Sequence, residues 1–141
     1  MRDDLILRVT TKLVVPPILL FALYVQFHGE YGAGGGFQAG VIFASGMILY
    51  SLIFDLAAAR RVLPPWSLLA LMPIGVLLYA GVGVASLLLG GRFLDYDVLL
   101  HDPVHGQHLG IILIELGVGV TVAAVLTAIF LAFLDHAEDG A

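Results

Sequence analysis

Four long apolar stretches dominate this sequence and restrict the folds that the chain can adopt. The first runs from about Leu5 to Phe27, the second lies within residues 31–54, the third within residues 62–91, and the fourth runs from about Gln107 to Leu134. The second and third contain no charged side chain, and the fourth contains a single carboxylate, Glu115. A helix of about 20 mainly apolar residues crosses the hydrocarbon core of a bilayer. The sequence therefore predicts four transmembrane helices.

The composition supports a membrane protein and excludes several other classes. Of the 141 residues, 60% are apolar and 12% are charged, and the mean hydropathy is +1.04. About a quarter of the residues of a soluble domain are charged, so an ordinary globular enzyme is excluded, as is a disordered tail. The net charge of −5 leaves no basic surface for nucleic acid. Because there is no cysteine, disulfides, thiolate catalysis and Cys-ligated metals are excluded.

We therefore predict an all-α integral membrane protein that forms a single four-helix transmembrane domain over residues 1–141. The expected helices cover about residues 5–27, 36–57, 65–89 and 107–134. Lys and Arg concentrate on the cytoplasmic side of membrane proteins. Five such residues lie at the N-terminus and in the second connection, and one lies in the third connection: Arg2, Arg8, Lys12, Arg60 and Arg61 against Arg92. Both termini are therefore expected in the cytoplasm.

Small residues recur at intervals of four along two of the predicted helices. Helix 2 carries Gly32, Gly36, Gly40 and Ala44, and the last helix carries Gly119, Ala123 and Thr127. In lipid, helices associate by close backbone approach over small side chains. Because four helices enclose only a small interior, several of these surfaces are expected to face outward, which favours a subunit of a larger complex.

Glu115 and His28 are the candidate residues of an ion pathway. A charge inside the bilayer is costly, and such residues usually face a cavity or a partner. Glu115 shares a helix face with Gly119 and Ala123, so it is expected on the packed side of its helix. Proton or cation handling and a purely structural carboxyl group are equally consistent with this position. His28 closes helix 1, where imidazole can relay protons or simply stabilise a helix C-terminus.

The remaining polar residues considered, three histidines and Asp55, are not assigned to a functional site. His101, His105 and His108 have the spacing of metal ligands on one helix, but Pro103 lies among them and three aspartates surround them, so a polar outer loop is expected and no metal site is assigned. Asp55 is expected to pair with Arg60 or Arg61, or to be solvated.

The segment between the first two helices is the most distinctive motif. Residues 34–40 read Gly-Gly-Gly-Phe-Gln-Ala-Gly, with His28 upstream. A phosphate-binding loop is excluded because no Lys-Ser or Lys-Thr follows and no strand precedes. We expect a tight turn whose glycines Gly34, Gly35, Gly36 and Gly40 permit positive φ and close backbone contact. Phe37 would anchor the entry to helix 2 at the membrane interface.

With this motif the chain resembles the B subunit of Mrp-type (Mnh) multisubunit cation/proton antiporters. In that family an outer His precedes a Pro-Gly-Gly-Gly-Phe-x-x-Gly motif that opens the second helix. This chain departs from the pattern at Ala33, where the family usually has Pro, and the expected cost is a less rigid turn. Residues 110–118, which contain Glu115, resemble the family's fourth-helix segment, and residues 17–21 also fit. The resemblance covers nearly the whole chain.

The resemblance implies a non-enzymatic subunit of a seven-subunit complex in the cell membrane of a prokaryote. Such complexes exchange cytoplasmic Na⁺ for external protons and are related to the membrane arm of respiratory complex I. The implied partners are large antiporter-like and small membrane subunits, lipids, Na⁺ and H⁺, with no cofactor.

Two alternatives stay open beside the antiporter subunit. One is a purely structural scaffold subunit of a related complex such as a membrane-bound hydrogenase. The other, weakly supported, is a homodimeric proton-coupled small multidrug transporter, whose essential Glu lies in helix 1. The first predicted helix of this chain contains no acid.

Overall fold

The computed structural model describes residues 2–29 and 34–139, with side chains for residues 5–29 and 34–137. Five α-helices and one short 3₁₀ helix account for most of them: α1 (Arg2–His28), α2 (Gly36–Phe54), α3 (Leu56–Val62), α4 (Pro65–Leu88), the 3₁₀ helix Tyr96–Val98, and α5 (Pro103–Asp139). No strand occurs in these two described ranges. The predicted all-α fold class is confirmed.

Four of the helices, α1, α2, α4 and α5, are long and apolar enough to cross a membrane. The chain is accordingly an integral membrane protein, as predicted. The longest helix, α5, has 37 residues and extends about 55 Å at 1.5 Å per residue, well beyond the ~30 Å of a bilayer core. That residues 1–141 form one domain stays a prediction.

The long helices pack mainly as a row in the order α1, α2, α5, α4, because α1 packs on α2 while α2 and α4 both pack on α5. Glycines mark these contacts. A Cβ atom on Gly46 of α2 would lie 3.1 Å from the Leu19 side chain of α1. On the other side of α5, a Cβ atom on Gly75 of α4 would lie 2.5 Å from the Gly117 carbonyl oxygen. Small residues therefore set the helix separations, as expected in lipid.

The end of α2 differs from the predicted helix 36–57. The helix stops at Phe54, Asp55 has a positive φ of 76°, and its Oδ1 accepts a hydrogen bond of 2.9 Å from the Ala58 N–H. This cap starts the separate helix α3. Arg60 pairs with Asp135 of α5 at 2.8 Å rather than with Asp55. This corrects the expected pairing, whereas the alternative of a solvated Asp55 agrees with its exposed side chain. The reason is that the Asp55 carboxylate satisfies the free N–H groups of a helix N-terminus.

The start of α5 also differs from the predicted start at Gln107. Asp102 caps this helix: its Oδ1 accepts from the Val104 N–H at 3.0 Å, and its Oδ2 lies 2.7 Å from His105 Nδ1. Pro103 takes the first helical position, where a missing N–H costs nothing. The hydrogen bond from His105, followed by that from Val104, holds the pKa of Asp102 below its ordinary value.

Candidate functional site: the glycine turn and Glu115

The candidate site lies where the beginning of α2 meets the middle of α5. A Cβ atom on Gly36 would overlap the backbone carbonyl of Glu115, and a Cβ atom on Gly40 would lie 2.7 Å from the Gly119 carbonyl oxygen. Gly36 and Gly40 therefore follow α5 over one full turn, with Glu115 and Gly119 opposite them. The two backbones touch because neither glycine has a side chain.

The carboxylate of Glu115 occupies space left by two other glycines. A Cβ atom on Gly29 would lie 2.8 Å from both Glu115 carboxylate oxygens, and one on Gly35 would lie 3.3 Å from Oε1. Gly35 also has φ +126°, a conformation that residues with side chains rarely adopt. The end of α1 and the entry to α2 thus enclose a partly buried carboxylate.

The described part of the turn is held against the last turn of α1. The Gly35 N–H donates to the Val25 carbonyl oxygen at 3.4 Å, and a Cβ atom on Gly34 would lie 3.0 Å from that same oxygen. The expected close contact is therefore found at Gly34 and Gly36, and the expected positive φ at Gly35. Residues 30–33, which include Gly32 and Ala33 of the motif, lie outside the described residues.

One side of Glu115 lines an open cavity of about 370 Å³. The remaining lining comes from the turn, the first residues of α2 and neighbouring α5 residues: Gly34, Gly35, Gly36, Phe37, Gln38, Ile114 and Val118. Phe37 is 63% exposed. A carboxylate in such a position can take up and release a proton or contribute oxygen ligands to a cation, as intramembrane acids commonly do.

His28 is placed differently from Glu115. Its side chain is exposed, and its ring stacks on Tyr24 with the centroids 4.8 Å apart. It is not among the residues that line the Glu115 cavity. The adjacent residue, Gly29, is the one that abuts the carboxylate. The structure therefore groups Glu115 with the glycine motif, while His28 lies next to that group on the exposed side of α1.

A further polar residue, Gln26, was not predicted from the sequence. Its side chain is 7% exposed and packs against Gly119, because a Cβ atom there would overlap the Gln26 Oε1 atom. Gln26 precedes Gly29 by three residues, so both lie on the face of α1 that meets α5. A single uncharged amide in an apolar helix gives little signal in the sequence, and its spacing of seven from Leu19 becomes informative only once Leu19 is seen to pack on Gly46 of α2.

Three histidines lie at the entry of α5. His105 is exposed and hydrogen-bonds the capping carboxylate of Asp102, while His101 lies just before the helix and His108 within it. Within the described ranges, no group of three His, Asp or Glu side chains could hold a metal ion.

Comparison with known proteins places the chain in a family. Residues 6–128 match the family described as "Domain related to MnhB subunit of Na+/H+ antiporter". A Staphylococcus haemolyticus protein named "Putative antiporter subunit mnhB2" is 38% identical over 133 residues, covering 92% of this chain and 94% of the relative. The protein of that name from Staphylococcus aureus strain Newman is 37% identical over 132 residues, covering 92% and 93%. The family resemblance noted in the sequence is thereby confirmed, and the chain belongs to the family of domains related to the MnhB subunit of Na⁺/H⁺ antiporters.

Proposed function

We propose that the chain is an integral subunit of a multisubunit monovalent cation/proton antiporter in a prokaryotic cell membrane, with both termini in the cytoplasm. Family membership and the four long apolar helices support this assignment. The partners in this proposal are the large antiporter-like and small membrane subunits of the complex. The chain acts there as a transport component and not as an enzyme.

We further propose that Glu115 lines part of the ion route. The observation that carries this is the position of its carboxylate, which lies against the backbones of Gly29 and Gly35 and borders a cavity of about 370 Å³. The end of α1, the beginning of α2 and α5 converge at this carboxylate, so a change in its charge acts on all three helices. Coupled transport usually needs several intramembrane charges, so this subunit contributes to a route that other subunits complete.

The test replaces Glu115 in the complete complex and measures cation-dependent proton movement in inverted membrane vesicles. Glu115→Gln keeps the size of the side chain and removes its charge, so we expect normal assembly with antiport reduced about tenfold or more. Asp135→Asn makes the same exchange of acid for amide near the far end of α5 and serves as the matched control. Its pair with Arg60 is nearly half exposed and contributes little to stability, so antiport should stay close to that of the parent. Unchanged antiport in both Glu115→Gln and Glu115→Ala would remove Glu115 from the route.

A structural scaffold is the second candidate, and one observation favours it. The backbone of Glu115 is itself the contact point for Gly36, so the residue lies in the main α2–α5 interface. In a scaffold, Glu115→Gln would still fill the space beside Gly29 and Gly35 and support normal transport, whereas Glu115→Ala would empty that space and weaken the complex. Native gels run beside the vesicle assay separate the two candidates.

The subunit assignment has its own test. Affinity purification of the tagged chain from native membranes should recover antiporter subunits; recovery of hydrogenase subunits would favour the related scaffold. The chain expressed alone in vesicles should move no protons. Proton movement by the lone chain would instead support the small multidrug transporter.

A further inference from the structure

Two basic side chains of α1 lie against a single aromatic ring at the end of α2. The Arg8 guanidinium carbon and the Lys12 ammonium nitrogen are each 5.7 Å from the centroid of the Phe54 ring. The two cations are one helical turn apart on α1, so they repel each other, while the face of the ring attracts both. Both basic side chains are exposed, whereas Phe54 is half-buried. We call Arg8, Lys12 and Phe54 the cation–ring cluster.

The described side chains do not neutralise the cation–ring cluster. None of the ion pairs among them involves Arg8 or Lys12. Asp55 directly follows the cluster on the chain, but its Oδ1 accepts a hydrogen bond from the Ala58 N–H. No acidic residue occurs within four positions of Lys12 in the sequence. Two positive charges therefore face outward without an anion from the described part of the chain.

The cation–ring cluster lies at one edge of the hydrocarbon core. Helices α2 and α5 run in the same direction with Gly36 beside Glu115, so Phe54 at the end of α2 is about level with residue 133 of α5. The apolar spans of both helices end at this level, because the next charged side chains are Asp55 and Asp135. Phospholipid headgroups lie immediately outside the hydrocarbon core. The two cations are therefore at the depth of lipid phosphates.

Exposed apolar side chains continue from the cation–ring cluster toward the middle of the membrane. Leu13 and Leu20 of α1 and Leu52 of α2 are each more than half exposed. This surface thus combines two positive charges at headgroup level with an apolar path below them. A phospholipid has the complementary distribution of charge and apolar surface, and its phosphate is present at that depth without any specific protein neighbour.

We propose that the cation–ring cluster binds an anionic phospholipid, whose phosphate lies between Arg8 and Lys12 and whose acyl chains lie along Leu13 and Leu52. A headgroup with a net negative charge is favoured over a zwitterionic one, because the two cations repel the quaternary ammonium of the latter. Each Lys or Arg near a membrane surface strengthens the attraction of anionic lipid about fivefold. The site lies at the opposite end of α2 from Glu115 and does not depend on ion transport.

Photoreactive lipids test this proposal on the chain purified from native membranes with its partners. The complex is placed in nanodiscs that contain a small fraction of phosphatidylglycerol or phosphatidylcholine, each with a diazirine on the same acyl-chain carbon. With two cations contributing, phosphatidylglycerol should label the peptide around Leu13 about tenfold or more above phosphatidylcholine. The peptide around Leu77 of α4, which is 67% exposed, should be labelled equally by both probes.

Two results of this measurement overturn the proposal. One is equal labelling of the Leu13 peptide by the two probes, which would show no preference for an anionic headgroup. The other is labelling by neither probe, which would show that another subunit covers the cation–ring cluster. Both leaflets of a nanodisc contain the probe, so the result is independent of the orientation of the chain. Failure of the proposed function would look different, because no antiporter subunit would then accompany the chain.

Substitutions locate the lipid preference at the cation–ring cluster. Lys12→Gln should lower the labelling ratio about fivefold, whereas Lys12→Arg, which keeps the charge, should retain it. Arg61→Gln is the matched control, because it removes an exposed charge at the same end of the chain but outside the cluster. An equal loss of preference in Arg61→Gln and Lys12→Gln would indicate a diffuse attraction and overturn the site. The ratio in the parent complex does not depend on how these variants fold.

Discussion

At Glu115 the backbone and the side chain are held by different glycines. Gly36 packs on the backbone of Glu115, whereas Gly29 and Gly35 leave the space that its carboxylate fills. A larger residue at position 36 would therefore separate two helices, and one at position 29 would displace the carboxylate. This division makes the packing role and the proposed ion role of the site experimentally separable.

Gly36→Ala is the sharpest test of the packing role. The added Cβ atom would overlap the carbonyl of Glu115, a backbone atom that cannot rotate away, so α2 and α5 must move apart. We expect a loss of about 1–3 kcal/mol of stability or more, seen as reduced complex on a native gel and a lower melting temperature in detergent. Gly36→Leu and Gly40→Leu should prevent assembly.

Gly81→Ala is the matched control, because it makes the same change in an α4 position where nothing lies within 4 Å of the added atom. It should assemble and melt like the parent or slightly above it, since Ala favours helix over Gly. If Gly36→Ala behaved like Gly81→Ala, the close α2–α5 contact would not be required for assembly.

His28→Ala should reduce transport or assembly modestly. The substitution removes a ring stacked on Tyr24, and such pairs contribute about 0.5–1.5 kcal/mol. His28→Phe keeps a stacked ring without a titratable group. Loss of antiport in both variants would favour a proton relay, whereas recovery in His28→Phe would favour packing. Normal transport and assembly in His28→Ala would exclude both roles.

Residue patterns predicted part of the site but not its partners. Glu115 could be placed on the small-residue face of its helix because Gly119 and Ala123 follow at steps of four. The contacts of its carboxylate with Gly29 and Gly35 join positions about 80 residues apart, and helical periodicity does not specify which helices pair. The same limit applies to Gln26, whose contact with Gly119 joins α1 to α5.

At the scale of elements, the beginning of α2 lies well below the Pro103 end of α5. Gly36 is level with Glu115, which follows the first residue of α5, Pro103, by about 18 Å along the helix. The beginning of α2 is thus recessed beside the end of α4 and the beginning of α5.

Helix ends were predictable where a cap was recognised. Pro65 opens α4 and Gly36 opens α2, at the starts predicted for the helices 65–89 and 36–57. Asp55 and Asp102 each cap a helix, whereas the sequence suggests an ion pair or solvation for Asp55 and a polar loop for Asp102. Both aspartates could serve either purpose in the sequence, and only the path of the following backbone distinguishes them.

The Asp102 cap predicts an acid-sensitive start of α5. Hydrogen bonds from His105 and Val104 lower the pKa of Asp102 in the folded chain. The ionised carboxylate therefore stabilises the helix start fully above the pKa of an unfolded Asp, about 3.9, and this stabilisation is lost as the pH falls through the lower pKa of the folded chain. Hydrogen exchange of the peptide that begins at Pro103 should accelerate over that range. In Asp102→Ala this peptide should exchange rapidly at every pH. If exchange of the 103–110 peptide were the same at all pH values and in the variant, the cap would not be formed.

At the scale of the whole molecule, the row of helices leaves α1 and α4 on opposite sides of a shared groove. Each long helix has a face that no other described element covers, with large apolar side chains such as Leu13, Leu69 and Phe133 about 70% exposed. Lipid or other subunits cover such faces in a membrane. A chain arranged as an open row is suited to a position among neighbours, which agrees with the family to which it belongs.

The orientation of this row in the membrane is the remaining whole-molecule prediction. Arg8 and Lys12 lie over the ring of Phe54 at the end of α2, and Arg60 and Arg61 follow on α3, so the basic residues gather at one end of the row. Arg92 lies in the connection at the other end. The positive-inside rule therefore places the Phe54 end in the cytoplasm.

Single cysteines on the two sides of the cysteine-free chain test this orientation in intact cells. Leu100→Cys, in the connection before α5, should react with a membrane-impermeant maleimide without permeabilisation, because Leu100 is exposed and is expected outside. Ala137→Cys, near the end of α5, should react only after permeabilisation. If Ala137→Cys reacted without permeabilisation and Leu100→Cys only after it, the orientation of the chain in the membrane would be the opposite of the one predicted. Glu115, which lies about 18 Å from the Pro103 end of α5, would then be nearer the cytoplasmic side, and the proposed ion route would have to be drawn from that side.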